Sequence, residues 1–150
     1  MLAGWLAKVI IKVFMQSLWL LKCDWDDILS EKYSTRWAEY YNKLDSLLKL
    51  KIPRFINISK PFIVEIYGFV DASIKAYAAV IFLRIINEDG VSVILQCSKT
   101  RVAPTKTLSI PRLELSATQL LAKLVKHSIS LIPAENPRIH LWSDSKDTLF

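Results

Sequence analysis

Apolar positions recur with a helical period through the first fifty residues. Leu6, Ile10, Val13, Phe14, Leu18 and Leu21 form one stripe, and Lys8, Lys12 and Gln16, four apart, form a polar stripe beside it. The pattern predicts an amphipathic helix over residues 1–22. Asp24, Asp26 and Asp27 crowd the break that follows, as acids do ahead of a helix N-terminus. Ser30 is the expected N-cap of a second helix, in which Tyr33, Trp37, Tyr40, Tyr41, Leu44, Leu47 and Leu48 again keep helical spacing. The aromatic stripe reads as packing surface and the acidic cluster as a solvated cap. Pro53 and Pro61 mark residues 51–61 as a linker.

From Phe62 the period changes to that of strands. Phe62–Val70 and Tyr77–Ile86 read as two strands, and the turn Asn87-Glu88-Asp89-Gly90 joins the second to a third, Val91–Cys97, as a hairpin. Ser98–Pro111 reads as a basic loop. Pro111 suits the start of a helix that runs to about Ser130. Pro133 and Pro137 bracket a loop before a fourth short strand, Arg138–Trp142, and Asp144 opens a further element. The order β-β-β-α-β predicts a mixed α/β sheet. Three strands form an antiparallel meander, and the helix returns the chain so that the fourth strand lies parallel to the first. The expected organisation is a helical segment at 1–50, the linker at 51–61 and an α/β domain at 62–150.

Composition narrows the class. An apolar fraction of 52% with 3 Gly and 6 Pro argues against disorder. A net charge of +6 suits a polyanionic partner without requiring one. Cys23 and Cys97 lack the spacing of a zinc site or a disulfide framework, which favours a reducing intracellular setting. His127 and His140 stand alone and read as ordinary surface or half-buried residues. Lys8 and Lys12 interrupt the first apolar run, which argues against a membrane span and against a signal peptide. A cytoplasmic or nuclear location without a targeting signal is expected.

Three carboxylates carry the candidate chemistry. Asp71 ends an apolar run, Glu114 lies in the first turn of the third helix pattern, and Asp144 ends the last apolar run. Ligands of open α/β sheets collect outside the carboxyl ends of strands. Acids gathered there suit Mg²⁺, a hard cation that prefers carboxylate oxygens, and two such ions about 4 Å apart can drive phosphodiester hydrolysis. Lys99, Arg101 and Lys106 are candidate phosphate contacts beside them.

Five blocks in order resemble the ribonuclease H region of BEL/Pao-type retrotransposon polyproteins. They are Tyr67-Gly68-Phe69-Val70-Asp71-Ala72-Ser73, Ala76-Tyr77-Ala78-Ala79-Val80, Ser98-Lys99-Thr100-Arg101-Val102-Ala103-Pro104, Ser109-Ile110-Pro111-Arg112-Leu113-Glu114-Leu115 and Leu141-Trp142-Ser143-Asp144-Ser145. Gly4-Trp5-Leu6-Ala7, Leu18-Trp19, Asp24-Trp25-Asp26-Asp27 and Ile52-Pro53-Arg54 resemble the segment between polymerase and ribonuclease H in the same polyproteins.

The resemblance implies a ribonuclease H-like fold preceded by a helical connection. It makes Asp71, Glu114 and Asp144 the catalytic Mg²⁺ or Mn²⁺ ligands, and it implies as partners an RNA–DNA hybrid and the reverse transcriptase portion of the same polyprotein. The family's fourth acid belongs to a later helix, beyond Phe150. The chain therefore reads as a polyprotein fragment, and cleavage by this chain alone is expected to be very slow or absent. Two alternatives go with the resemblance. One is the Pao-type aspartic peptidase, although Phe69-Val70-Asp71-Ala72-Ser73 lacks the glycine that such an active loop needs. The other is a non-catalytic remnant that only binds nucleic acid.

Overall fold

In the computed structural model the chain divides into two compact units, Met1–Lys51 and Ile52–Phe150. The structure describes residues 3–49, 51–52, 56, 62–134 and 136–145. Most of the expected linker at 51–61, and the element expected after Asp144, lie outside them.

The first unit is helical. Helix α1 spans Ala3–Leu21 and α2 spans Glu31–Lys43, with Ser30 at its N-cap in an extended conformation. The second apolar stripe was expected to continue as α-helix to Leu48. Instead the backbone tightens into a 3₁₀ turn over Leu44–Lys49, the usual way for a helix to end. Phe14 of α1 is buried. Its ring stacks on Trp37 at 5.7 Å and tilts against Tyr33 at 6.4 Å, while the Arg36 guanidinium lies 5.8 Å from its centroid. The aromatic stripe of α2 is thus packing surface at Tyr33 and Trp37. The acidic turn is exposed, and Asp27 accepts a hydrogen bond from the Asp24 backbone N–H. Among the described residues no helix is long and apolar enough to cross a membrane.

The described residues of the second unit form a four-stranded mixed sheet with one helix laid across it. Strands β1 (Phe62–Ala72), β2 (Ala76–Asn87) and β3 (Gly90–Val102) form an antiparallel meander, and β4 (Arg138–Ser143) joins β1 in parallel, giving the order β3-β2-β1-β4. The β2–β3 hairpin turns on Glu88-Asp89. Asn87 Oδ1 accepts from the Asp89 N–H, and Gly90 adopts φ +124°, a conformation glycine takes without steric cost. Strand β3 is longer than expected. Ser98–Val102 pair with β2 rather than forming a loop, because alternate residues of this stretch continue to cover the sheet, with Thr100 buried and Ser98 and Val102 half-buried.

Helix α3 (Ile110–Leu131) starts at Ser109, with Pro111 in its first turn. Its 22 residues reach about 33 Å, the length of the sheet beneath. Leu113, Ala117, Leu120, Leu121, Val125 and Ser128 line one buried stripe. Below it, alternate residues Val64, Ile66 and Val70 of β1 and Ala79, Ile81, Leu83 and Ile85 of β2 complete the core. Gly68 belongs to the same row. A Cβ there would stand 2.7 Å from Leu141 Cδ2 and 2.8 Å from Leu121 Cδ1, so its lack of a side chain lets α3 and β4 approach β1 together.

The other face of the sheet is not covered by α3. It carries an aromatic ladder: Tyr67 lies opposite His140 at 5.0 Å, Phe69 stacks on Trp142 at 5.0 Å, and Tyr67 stacks on Trp142 at 5.3 Å. Beside it Glu65 is buried, accepting 2.6 Å from Arg84 and 3.0 Å from the Tyr67 hydroxyl. The Arg84 hydrogen bond holds the Glu65 carboxyl below its ordinary range; burial opposes this, and the Tyr67 bond adds to it.

Two expectations follow. Gly68→Ala should lower stability by about 1–3 kcal/mol in urea unfolding, since Leu141 can swing outward but Leu121, 2% exposed, cannot. Glu65 has its pKa depressed on folding, so its stabilisation is complete above the unfolded glutamate value of about 4.3 and is lost as pH falls through the lower folded value. The Tm gap between the native chain and Glu65→Gln should therefore be widest near neutrality and close in acid. A gap independent of pH would show that Glu65 acts by packing alone.

Candidate functional site

The topology carries three acids to one end of the sheet. Strand β2 runs against both β1 and β3, and β4 runs with β1, so β1, β3 and β4 share a direction. Helix α3 leaves the carboxyl end of β3 and runs back, and β4 returns to that same end. Asp71, next to last in β1, Glu114, in the first turn of α3, and Asp144, directly after β4, therefore lie at the carboxyl end of the sheet.

Two details tighten this placement. The β1–β4 register pairs Val70 with Ser143. Asp71 follows Val70 in β1, and Asp144 follows Ser143 in the bend that ends β4. Both residues are exposed, whereas Glu114 is half-buried. The Ser145 hydroxyl, itself buried, donates a 2.5 Å hydrogen bond to Glu114 Oε2, tying the start of α3 to the end of β4.

As placed, no three His, Cys, Asp or Glu side chains among the described residues stand close enough to hold an ion together. Strand alternation accounts for this. Asp71 follows Tyr67 and Phe69 on the face turned away from the helix, while Glu114 comes from the helix side, and Asp144 lies past the end of β4. The donor set itself, three carboxylates on adjoining element ends, fits a hard divalent cation.

The basic candidates occupy two different elements. Lys99 and Arg101 lie on β3, paired with Ala79 and Tyr77, and correct the reading of this stretch as loop. Lys106 lies in the connection from β3 to α3 and is exposed. Two polar contacts escaped the sequence reading. The Glu65–Arg84 pair spans adjacent strands, and only the register reveals it. Ser145 was visible in the Trp142-Ser143-Asp144-Ser145 block, but nothing local showed that it meets a helix 31 residues earlier.

A meander extended by a parallel fourth strand, with a helix on one face and acids at the carboxyl rim, is consistent with the ribonuclease H-like class of α/β domains. The family model of the Pao retrotransposon-like RNaseH-like domain matches residues 3–145. The chain belongs to this family, and the match runs through both compact units. A comparison with curated proteins gave no match.

Ser145→Ala should remove the tie between β4 and α3 and lower stability by about 1 kcal/mol, whereas Ser145→Thr, which keeps the hydroxyl, should retain most of it. Equal midpoints for all three proteins in urea would show that the bond contributes nothing.

Proposed function

We propose that the α/β domain is a metal-dependent nuclease module acting on the RNA strand of an RNA–DNA hybrid. Asp71, Glu114 and Asp144 would hold Mg²⁺ or Mn²⁺. When bound, such ions supply Lewis-acid stabilisation of the phosphoryl oxygens and an acidified water. The protein's part is to hold its carboxylates ionised and in position. The observation that carries this reading is the joining of three acid-bearing segments at one rim, by the β1–β4 register and by the Ser145–Glu114 bond, in a member of a ribonuclease H-like family.

Exposure leaves the side chains of Asp71 and Asp144 free to turn toward the rim, where Glu114 is already fixed. Lys99, Arg101 and Lys106 would meet backbone phosphates, a sequence-independent attraction that suits a nuclease reading helix shape. Membership of a retrotransposon family supports work beside the reverse transcriptase of the same polyprotein, inside the cell.

The test begins with metal. Titration with paramagnetic Mn²⁺ should broaden the amide signals of residues 71–72, 113–115 and 143–145 before others, and Asp71→Asn with Asp144→Asn should abolish that selectivity. Any cleavage of an RNA–DNA hybrid should require Mg²⁺ or Mn²⁺ and fall by about 10²-fold or more in Asp71→Asn, as expected when reacting groups lose their positioning. Broadening elsewhere, or cleavage indifferent to Asp71, would reject the assignment.

A further inference from the structure

A small crevice opens on the helix side of the sheet, at the same rim as the acids. Tyr77, Arg101, Ser116, Gln119, Leu120 and Lys123 line it, and its volume is about 20 Å³. From β1 outward, Ala72 pairs with Tyr77 and Tyr77 with Arg101. Arg101 therefore lies two strand spacings, about 10 Å, from the end of β1. On α3, Ser116, Gln119 and Lys123 form one stripe by their spacing, and Glu114 lies on a different side of the helix. The acids and the crevice thus flank the N-terminal half of α3, separated by about one helix diameter of 10 Å.

A β-bulge aims Arg101 into this place. Before it, Ile94 pairs with Leu83; after it, Cys97 pairs with Ile81, so Gln96 is the extra residue. Leu83 and Ile81 both face α3. One inserted residue reverses which residues of a strand face a given side. Without the bulge, Arg101 would have turned to the open face. Cys97, on the same parity as Arg101, lies 3.8 Å from Ser128 of α3, which verifies the direction.

We propose that this crevice seats one phosphoryl oxygen of a nucleic-acid backbone, about three nucleotides of strand rise from the acids. The volume admits a water-sized group, so an oxygen of a phosphodiester enters where a base or ribose does not. Arg101 and Lys123 supply two positive charges, and among the described residues neither is engaged in an ion pair. Gln119 and the Tyr77 hydroxyl add neutral donors. Ser116 already donates to the Arg112 carbonyl and shapes the wall. Among the described residues no carboxylate lines the crevice. The proposal rests on the nuclease reading for the source of the phosphate, and it adds Lys123 to the contact surface as a second cation acting with Arg101.

Binding of a labelled RNA–DNA hybrid to the full chain, without divalent metal, tests it across a salt series. Arg101→Gln and Lys123→Gln should each weaken binding several-fold and lower the salt slope by about one. Lys126→Gln, an equal charge change elsewhere on α3, should leave both unchanged. Equal losses in all three would reduce the effect to diffuse charge and overturn the seat, as would native binding by Lys123→Gln. Inorganic phosphate separates the sources. If it shifts the amides of Ser116 and Lys123 while hybrid binding ignores Lys123→Gln, the crevice holds free phosphate and the backbone assignment fails. If the native chain binds no hybrid, the nuclease reading fails; amide shifts with phosphate would then retain an anion seat, and their absence would remove it.

Discussion

The parallel pairing of β1 with β4 is the contact on which the site depends. These strands are separated by the β2–β3 hairpin and by α3, so nothing local brings them together. Three features hold them. Backbone bonds run from Glu65–Arg138 to Val70–Ser143. On the open face, the Tyr67–His140 and Phe69–Trp142 pairs sit directly opposite each other. On the other face, Gly68 leaves room for Leu141 and Leu121. A slip of one residue would turn the ladder into the core and separate Asp71 from Asp144. The packing that fixes the register also sets which residues end β1 and β4 at the rim.

The two faces of the sheet do different things. The helix-covered face is apolar and holds the core, with Ile66, Ala79, Ile81 and Ile85 fully buried. The open face mixes aromatic rings with the Glu65–Arg84 pair, and it leaves Phe69 and Trp142 about two-fifths exposed. At the carboxyl rim the faces meet. Asp71 continues the open face, Glu114 comes from the helix side, and Asp144 follows the end of β4. The Ser145–Glu114 bond ties the end of β4 to the first turn of α3 there.

Strand β3 shows how a single inserted residue changes what a surface presents. Up to Leu95 its alternation follows β2 without interruption; past Gln96 it is reversed. Arg101 gains the helix side and stands with Lys123 at the rim. In sequence the two cations are 22 residues apart, in segments of different period, and share no motif.

Much of the fold was legible in the sequence. Alternation marked β1 and β2, the Asn87–Gly90 turn marked the hairpin, Pro111 marked the start of α3, and the order of elements implied a fourth strand parallel to the first. These are properties of short stretches, set by backbone preference and by which side chains seek burial. The acids at the rim were legible for the same reason, since strand ends and a helix start position them. Tertiary structure decided the rest. Whether Ser98–Val102 is loop or strand depended on β2 being there to pair with it. The direction of Arg101 depended on a bulge that no local preference announces. The partners of Glu65 and Glu114 depended on register between segments 19 and 31 residues apart. Local sequence determines what a segment is able to form; the contact that selects among those possibilities comes from residues far along the chain, and exists only once the layers have packed.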